Sequence, residues 1–219
     1  MSAVDEKMST SEQVCDQLEQ LIAAGGFEDG ERLDENRLAQ KFNTSRTPVR
    51  EAFRLLSARG HVEIRRNRGA FVRLPKFSEV VEMFEVMSEM EAWCARLAAL
   101  RATRAQLILM EDHLVRCETA FRAADVATYY TENAAFHALI YEASGNAFLA
   151  QETRKLQERL ASYRRIQLGH DGRMVKSMTE HRAILDALID HDPDRAGKLI
   201  RRHVQVQSEF YEAFRQARS

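Results

Sequence analysis

Apolar positions along the chain keep helical spacing nearly everywhere except over residues 61–73, where they alternate. Over residues 9–24, Val14, Leu18, Leu21 and Ile22 fall on one helix face, with Ser9 or Thr10 as cap and Gly25-Gly26 as stop. A loop is expected from Phe27 to Leu33, then a short helix over 34–41 with Asp34 as N-cap, and a turn at Asn43-Thr44. The next helix is expected over 45–59. Val49, Phe53, Leu55 and Leu56 supply its apolar face, Pro48 is tolerated in its first turn, and Gly60 caps its end. His61–Arg65 and Ala70–Arg73 then read as two strands around a turn at residues 66–69. Helix, helix, turn, helix, hairpin is the order of a winged helix-turn-helix, with the hairpin as the wing.

Leu74-Pro75-Lys76 marks a boundary. Beyond it helices are expected near 77–101, 103–123, 125–144, 146–169, 174–191 and 194–217, punctuated by Gly145-Asn146 and Asp192-Pro193. The fold class is mainly α: a winged helix-turn-helix over 1–75 and an all-helical bundle over 76–219, long enough for its own core. Trp93, Phe121, Phe136 and Phe148 are read as core residues.

Composition narrows the class. Hydrophobic residues make up 45% and charged residues 30%, with 3 Pro and 9 Gly, which excludes collagen-like, Pro-rich and disordered chains. Three widely spaced cysteines argue against a disulfide framework and for a reducing, cytoplasmic location. No apolar run approaches the ~20 residues of a membrane span, and the polar, acidic start does not read as a signal peptide. The net charge of −1 hides a split: residues 1–36 carry ten acids and two bases, residues 37–75 ten bases and two acids. Nine of those ten bases are arginines, whose planar fork suits phosphate and guanine.

In a helix-turn-helix the N-terminal residues of the second helix meet the bases. Here these are Ser45-Arg46-Thr47-Pro48-Val49-Arg50. Arg46 and Arg50, four apart, share a face and could each grip guanine or phosphate, or else pair with Glu51 or Asp34. Ser45 and Thr47 suit phosphate oxygens, and Gly69 beside Arg68 at the wing tip allows close backbone approach to a groove. The stretch from Gly30 to Val72 resembles the DNA-binding domain of GntR-family transcriptional regulators. The matching words are Gly30-Glu-Arg-Leu33, Leu38-Ala39, Ser45-Arg-Thr-Pro-Val-Arg-Glu-Ala52, Leu55-Leu56, Gly60 and Arg68-Gly-Ala-Phe-Val72. The resemblance implies a homodimer on a palindromic operator in double-stranded DNA. It also implies DNA contacts from Ser45, Arg46, Thr47 and Arg50, Gly69 in the minor groove, and a further contact at Asn36 with Arg32 nearby.

The helical half carries a candidate site. Asn133 and His137 share a helix face, and His181 and His203 sit among apolar neighbours on two later helices. Together they offer nitrogen and oxygen donors for Zn²⁺, Ni²⁺ or a similar ion, though a His on an apolar face is also an ordinary core residue. Tyr129-Tyr130, Asn133-Ala-Ala-Phe-His137, Ser144-Gly-Asn146, Glu180-His181 and Arg202-His203 resemble the FCD-type effector domain of the FadR subfamily of GntR regulators. That resemblance implies a divalent metal held at positions 133, 137, 181 and 203, and a small organic acid as effector. Asn133 stands where many members carry Asp, and residues 83–91 lack the Arg that members often carry there. Arg164 and Arg165 are candidate carboxylate clamps, of which one would face inward. His61, His113, His170 and His191 are read as surface residues.

The expected function is a DNA-binding regulator, not an enzyme, whose operator affinity follows a metal-bound acid. Two other readings are a metalloenzyme, for which the chain has no His-Glu-x-x-His word, and a dimeric DNA binder without an effector.

Overall fold

In the computed structural model, which describes residues 9–23, 26–169 and 172–205, the chain divides into two units between Lys76 and Phe77. Ser9 opens the first helix, α1 (Thr10–Ala23), with a capping box: Glu12 N donates to Ser9 Oγ at 3.3 Å and Ser9 N to Glu12 Oε2 at 2.7 Å. Asp34 caps α2 (Glu35–Lys41) by accepting from the backbone N–H of Asn36 and Arg37. Ser45 is the N-cap of α3 (Arg46–Ala58), but its side chain makes no capping bond. That helix ends in a Schellman motif, with His61 N donating to Leu56 O at 2.9 Å and Gly60 N to Ser57 O at 3.1 Å. Gly60 has φ +81°, so it lies just past the cap, which is Arg59.

The wing strands are β2 (Val62–Arg65) and β3 (Gly69–Val72), paired antiparallel with Arg65 opposite Gly69. A third strand, β1 (Arg32–Leu33), pairs with the far edge of β3, so the order is β1-β3-β2. The expected loop over 27–33 therefore ends in a strand, too short to show an alternating pattern. Val14, Leu18 and Ile22 of α1 pack with Val49, Phe53 and Leu56 of α3 in one core. Burial of each such side chain contributes about 1.5–3 kcal/mol.

The second unit is helical throughout its described residues. Its elements are α4 (Phe77–Arg101), α5 (Arg104–Arg122), α6 (Val126–Ala143), α7 (Ala147–Arg159), α8 (Ala161–Leu168), α9 (Arg173–Ile189) and α10 (Pro193–Val204). Thr103 and Gln106 form a capping box on α5, and Asp125, Asn146 and Asp192 cap α6, α7 and α10. Along α4, Val80, Phe84, Met87, Glu91, Cys94 and Ala98 are all buried at three-and-four spacing. α10 lies close to α4 at Gly197, where a Cβ would sit 2.7 Å from Arg96 Cγ and 3.2 Å from Ala92 O.

Several expectations need correction. The single helix expected over 146–169 is two, broken at Leu160. The buried positions Leu149, Thr153, Leu160 and Arg164 keep helical spacing across the joint, so nothing in that spacing marks it. The last helix ends at Val204, because Gln205 is extended (ψ 143°); the part expected beyond residue 205 lies outside the described residues. Trp93 and Phe148 are 52% and 75% exposed, not core, whereas Phe136 is fully buried and Phe121 half-buried. His61 is buried against Glu19, with 3.4 Å between Nε2 and Oε1. His170 lies outside the described residues. The three cysteines are free and buried, and among the described residues no helix is long and apolar enough to cross a membrane.

Candidate functional site

In the helical unit α6, α9 and α10 bring His137, His181 and His203 together. His181 Nε2 lies 3.2 Å from His137 Nε2 and 3.1 Å from His203 Nε2, and all three side chains are buried. The hydrogen-bond network assigns the tautomers. His137 Nδ1 donates to Glu91 Oε2 at 2.5 Å, and His203 Nδ1 to Glu180 Oε2 at 2.7 Å. Both Nε2 atoms are then bare acceptors. A single proton on His181 Nε2 can serve only one of its two neighbours at a time. A carboxylate on the far ring nitrogen is the arrangement that orients imidazoles toward a metal. Among the described residues, these three imidazoles can coordinate a metal ion.

Two buried arginines flank the cluster. Arg164 on α8 donates through Nη1 to Glu91 Oε1 at 2.9 Å and through Nη2 to His137 Nε2 at 3.1 Å. Arg173, at the start of α9, donates to Glu180 Oε2 at 2.9 Å and to the His203 carbonyl at 3.1 Å. Arg165, one helical step from Arg164, is exposed, with its guanidinium 4.5 Å from the centre of the Tyr130 ring. Only Arg164 of the expected pair therefore points inward. A cavity of about 20 Å³ opens beside the imidazoles, with Asn133, Arg164, Gln167, Arg173, Ser177 and His203 as its polar lining. Asn133 Oδ1, Gln167 Nε2 and Arg173 Nε are buried there without a hydrogen-bond partner. Unpaired buried polar atoms are destabilising, and several around one cavity point to a ligand.

Electrostatics follow from this packing. Burial opposes the charge on Glu91, yet His137 and Arg164 outweigh it and hold its carboxyl at about 2. The fixed charge of Arg164 is the part of this that persists when His137 is neutral. Burial pushes the His181 and His203 imidazoles well below their ordinary value, reinforced in both by His137 and the two arginines and in His181 also by His203. His137 is lowered by burial, against the pull of Glu91. The ring nitrogens are thus neutral at pH 7, the state in which they bind metals.

Sequence reasoning missed Glu91, Arg173 and Gln167, and named Glu180 only as a neighbour of His181. Glu91 did carry a signal: an acid at the centre of the buried stripe of α4, where the resemblance leads one to look for an arginine.

In the first unit the expected DNA-facing residues lie together on α2, α3 and the wing. Asn36, Ser45, Arg46, Thr47, Arg50 and Arg68 are exposed. Arg46 Nη2 and Arg50 Nε both donate to Glu35 Oε2, at 3.1 and 2.8 Å. The partner is thus Glu35, neither Glu51, which pairs with Arg54 at 2.7 Å, nor Asp34, which caps α2. Asn36, Ser45 and Arg46 border one open depression. At the wing Gly69 has φ +103°, and a Cβ there would lie 3.3 Å from Arg32 Nε, so the missing side chain lets Arg32 lie across the strand.

Comparison with known proteins agrees with both halves. The family described as bacterial regulatory proteins, gntR family, matches residues 10–72, and the FCD domain matches residues 82–206. The HTH-type transcriptional repressor NanR of Escherichia coli is 30% identical, over 94% of this chain and 86% of that protein. The HTH-type transcriptional regulator YdhC of Bacillus subtilis is 27% identical, over 87% and 86%. Among solved structures, E. coli McbR/YncC shares the fold, with a TM-score of 0.74 at 20% identity over 96% of this chain and 99% of that one. The chain belongs to the GntR family of bacterial regulatory proteins: it is a winged helix-turn-helix DNA-binding regulator, not an enzyme, and carries an FCD domain through which a small-molecule effector modulates it.

Proposed function

We propose that the effector is a small carboxylic acid, bound with a divalent ion at His137, His181 and His203, and that its binding changes operator affinity. The observation that carries this reading is the convergence of three neutral imidazoles with carboxylates behind two of them. Asn133, whose carbonyl oxygen is buried and unpartnered in the adjoining cavity, is a fourth donor. Nitrogen donors with one oxygen suit Zn²⁺ or Ni²⁺. Such an ion supplies a positive, Lewis-acidic point for a carboxylate oxygen.

The protein's own groups do the rest. Arg164 and Arg173 each present a buried guanidinium beside the cavity, and Arg173 Nε and Gln167 Nε2 are donors without partners. These fit the several lone pairs of a carboxylate. The cavity of about 20 Å³ has room for a water or an ion but not for an organic acid. Coordination of the ion by His137 Nε2 uses the lone pair that accepts from Arg164, so loading the site would shift the Arg164 side chain off it. That shift gives two states of the helical unit, and the acid favours one by its differential affinity.

Ser45, Arg46, Thr47, Arg50, Asn36, Arg32, Arg68 and Gly69 are the residues that would touch DNA, as a homodimer on a palindromic site. The test is anisotropy of labelled DNA from the gene's own upstream region, with Zn²⁺ and a panel of hydroxy- and dicarboxylic acids. A change in affinity at constant salt with at least one acid, absent in His181→Ala, supports the reading. Identical curves with every acid tested contradict it.

A further inference from the structure

The charges around the imidazole cluster cancel. Among the described residues, the charged groups in hydrogen-bond contact with His137, His181 and His203 are Glu91, Arg164, Arg173 and Glu180. Arg164 pairs with Glu91 at 2.9 Å, and Arg173 with Glu180 at 2.9 Å. Two acids thus offset two arginines. Asn133, whose Oδ1 is buried and unpartnered beside the cavity, adds an oxygen donor but no charge. The protein side of the site is therefore neutral, and nothing in it answers the two positive charges of a divalent ion. Buried charge without compensation is costly, so the loaded site favours a ligand that supplies two negative charges.

We propose that Asn133 sets the charge of the effector, which is a short dicarboxylate rather than a monocarboxylate. This rests on the metal-and-acid reading above and narrows its ligand. An aspartate at position 133 would leave the loaded site with one positive charge, which a monocarboxylate neutralises. The neutral amide leaves two. Donors for two carboxylates are at hand on two elements. On α8, Arg164 Nη2 comes free once His137 Nε2 gives up its lone pair, and Gln167 Nε2 has no partner. On α9, Arg173 Nε has none. The cavity of about 20 Å³ restricts the acid to a short chain.

The experiment is calorimetric titration of the Zn²⁺-loaded full chain, freed of unbound ion, with acids paired by length: malonate and propionate, succinate and butyrate, malate and 3-hydroxybutyrate. It is repeated on chelator-treated protein and on loaded Asn133→Asp and Asn133→Ser, with elemental analysis confirming the ion and circular dichroism the fold. In the native chain at least one dicarboxylate binds tenfold or more tighter than its monocarboxylate partner, and chelation abolishes that preference. A negative charge added at position 133 repels a dianion twice as strongly as a monoanion at the same distance. Asn133→Asp therefore lowers the ratio at least tenfold, whereas the neutral Asn133→Ser keeps it. Should Asn133→Asp not fold, the loaded and chelated native chains still decide. A loaded chain that binds no acid of either class overturns the metal-and-acid reading and this inference with it. Equal affinity for the two classes, or tighter binding of the monocarboxylates, overturns the dicarboxylate alone. A preference that survives chelation, or is unchanged in Asn133→Asp, overturns the role of Asn133, because the arginines then set the charge.

Discussion

Glu91 and His137, fully buried on α4 and α6, meet at 2.5 Å between Oε2 and Nδ1. This contact ties together the unit's two tasks. The carboxylate neutralises Arg164 and, through the same pair of oxygens, fixes which nitrogen of His137 faces the other imidazoles. Replacing Glu91 by Gln keeps the shape and removes the charge. Arg164 is then buried without a counter-charge, which destabilises the fold by about 3–5 kcal/mol. Metal affinity falls by roughly 10–100-fold, the usual loss when a group behind a ligand is removed. Urea unfolding and a metal titration measure the two effects, and a variant that matches the native protein in both refutes this role.

The second prediction concerns pH. In chelator-treated protein, His181 and His203 have folded pKa values well below the ordinary 6.5. Below about 6.5 the unfolded chain takes up protons that the native state refuses. The stability due to neutral imidazoles is thus complete above that pH and is lost as pH falls through it towards the folded values. Glu91, lowered from 4.5 to about 2, adds a further loss over that lower range. Thermal melts should decline steadily from pH 7 to pH 5, more steeply in the native protein than in His181→Ala. A flat profile over that interval contradicts the argument.

Glu35 is predicted to restrain DNA binding. It holds Arg46 and Arg50 together, but the arginine side chains are 56% and 57% exposed, so the pairs contribute below about 1 kcal/mol to stability. Glu35→Gln leaves the melting temperature nearly unchanged and tightens DNA binding, because a negative charge beside the duplex is gone. Arg50→Ala weakens operator binding by about 1–3 kcal/mol if it reads a base. Anisotropy at several salt concentrations decides, and weaker binding by Glu35→Gln shows that the acid positions the arginines rather than competing with DNA.

Asn133 offers a neutral carbonyl where an aspartate would bring a charge. Asn133→Asp should bind Zn²⁺ roughly tenfold tighter, about 1.4 kcal/mol, as read by competition with a chromophoric chelator. Unchanged affinity removes Asn133 from the ligand set.

Much of this was legible in the chain because local chemistry dictated it. Asp34, Gly60 and the alternation from Val62 announce the winged fold, since caps, left-handed stops and period are properties of neighbouring residues. His137, His181 and His203 could be nominated one by one. Their convergence could not be read, because it depends on how α6, α9 and α10 pack. Features with no local signature were lost. β1 is two residues long and exists only through β3, and the break at Leu160 interrupts no stripe. Trp93 passed for core because it stands with the exposed Val86 and Leu100 at the same helical spacing as the buried stripe of α4. Arg164 and Arg165 are adjacent letters, and only the orientation of α8 separates them.

The most direct test is calorimetric titration of Zn²⁺ into chelator-stripped protein, native and His181→Ala, with elemental analysis of the dialysed products. The account predicts one ion retained per native chain and none in the variant, both folded by circular dichroism. A native chain that retains no ion, or a variant that retains it equally well, contradicts the site at His137, His181 and His203.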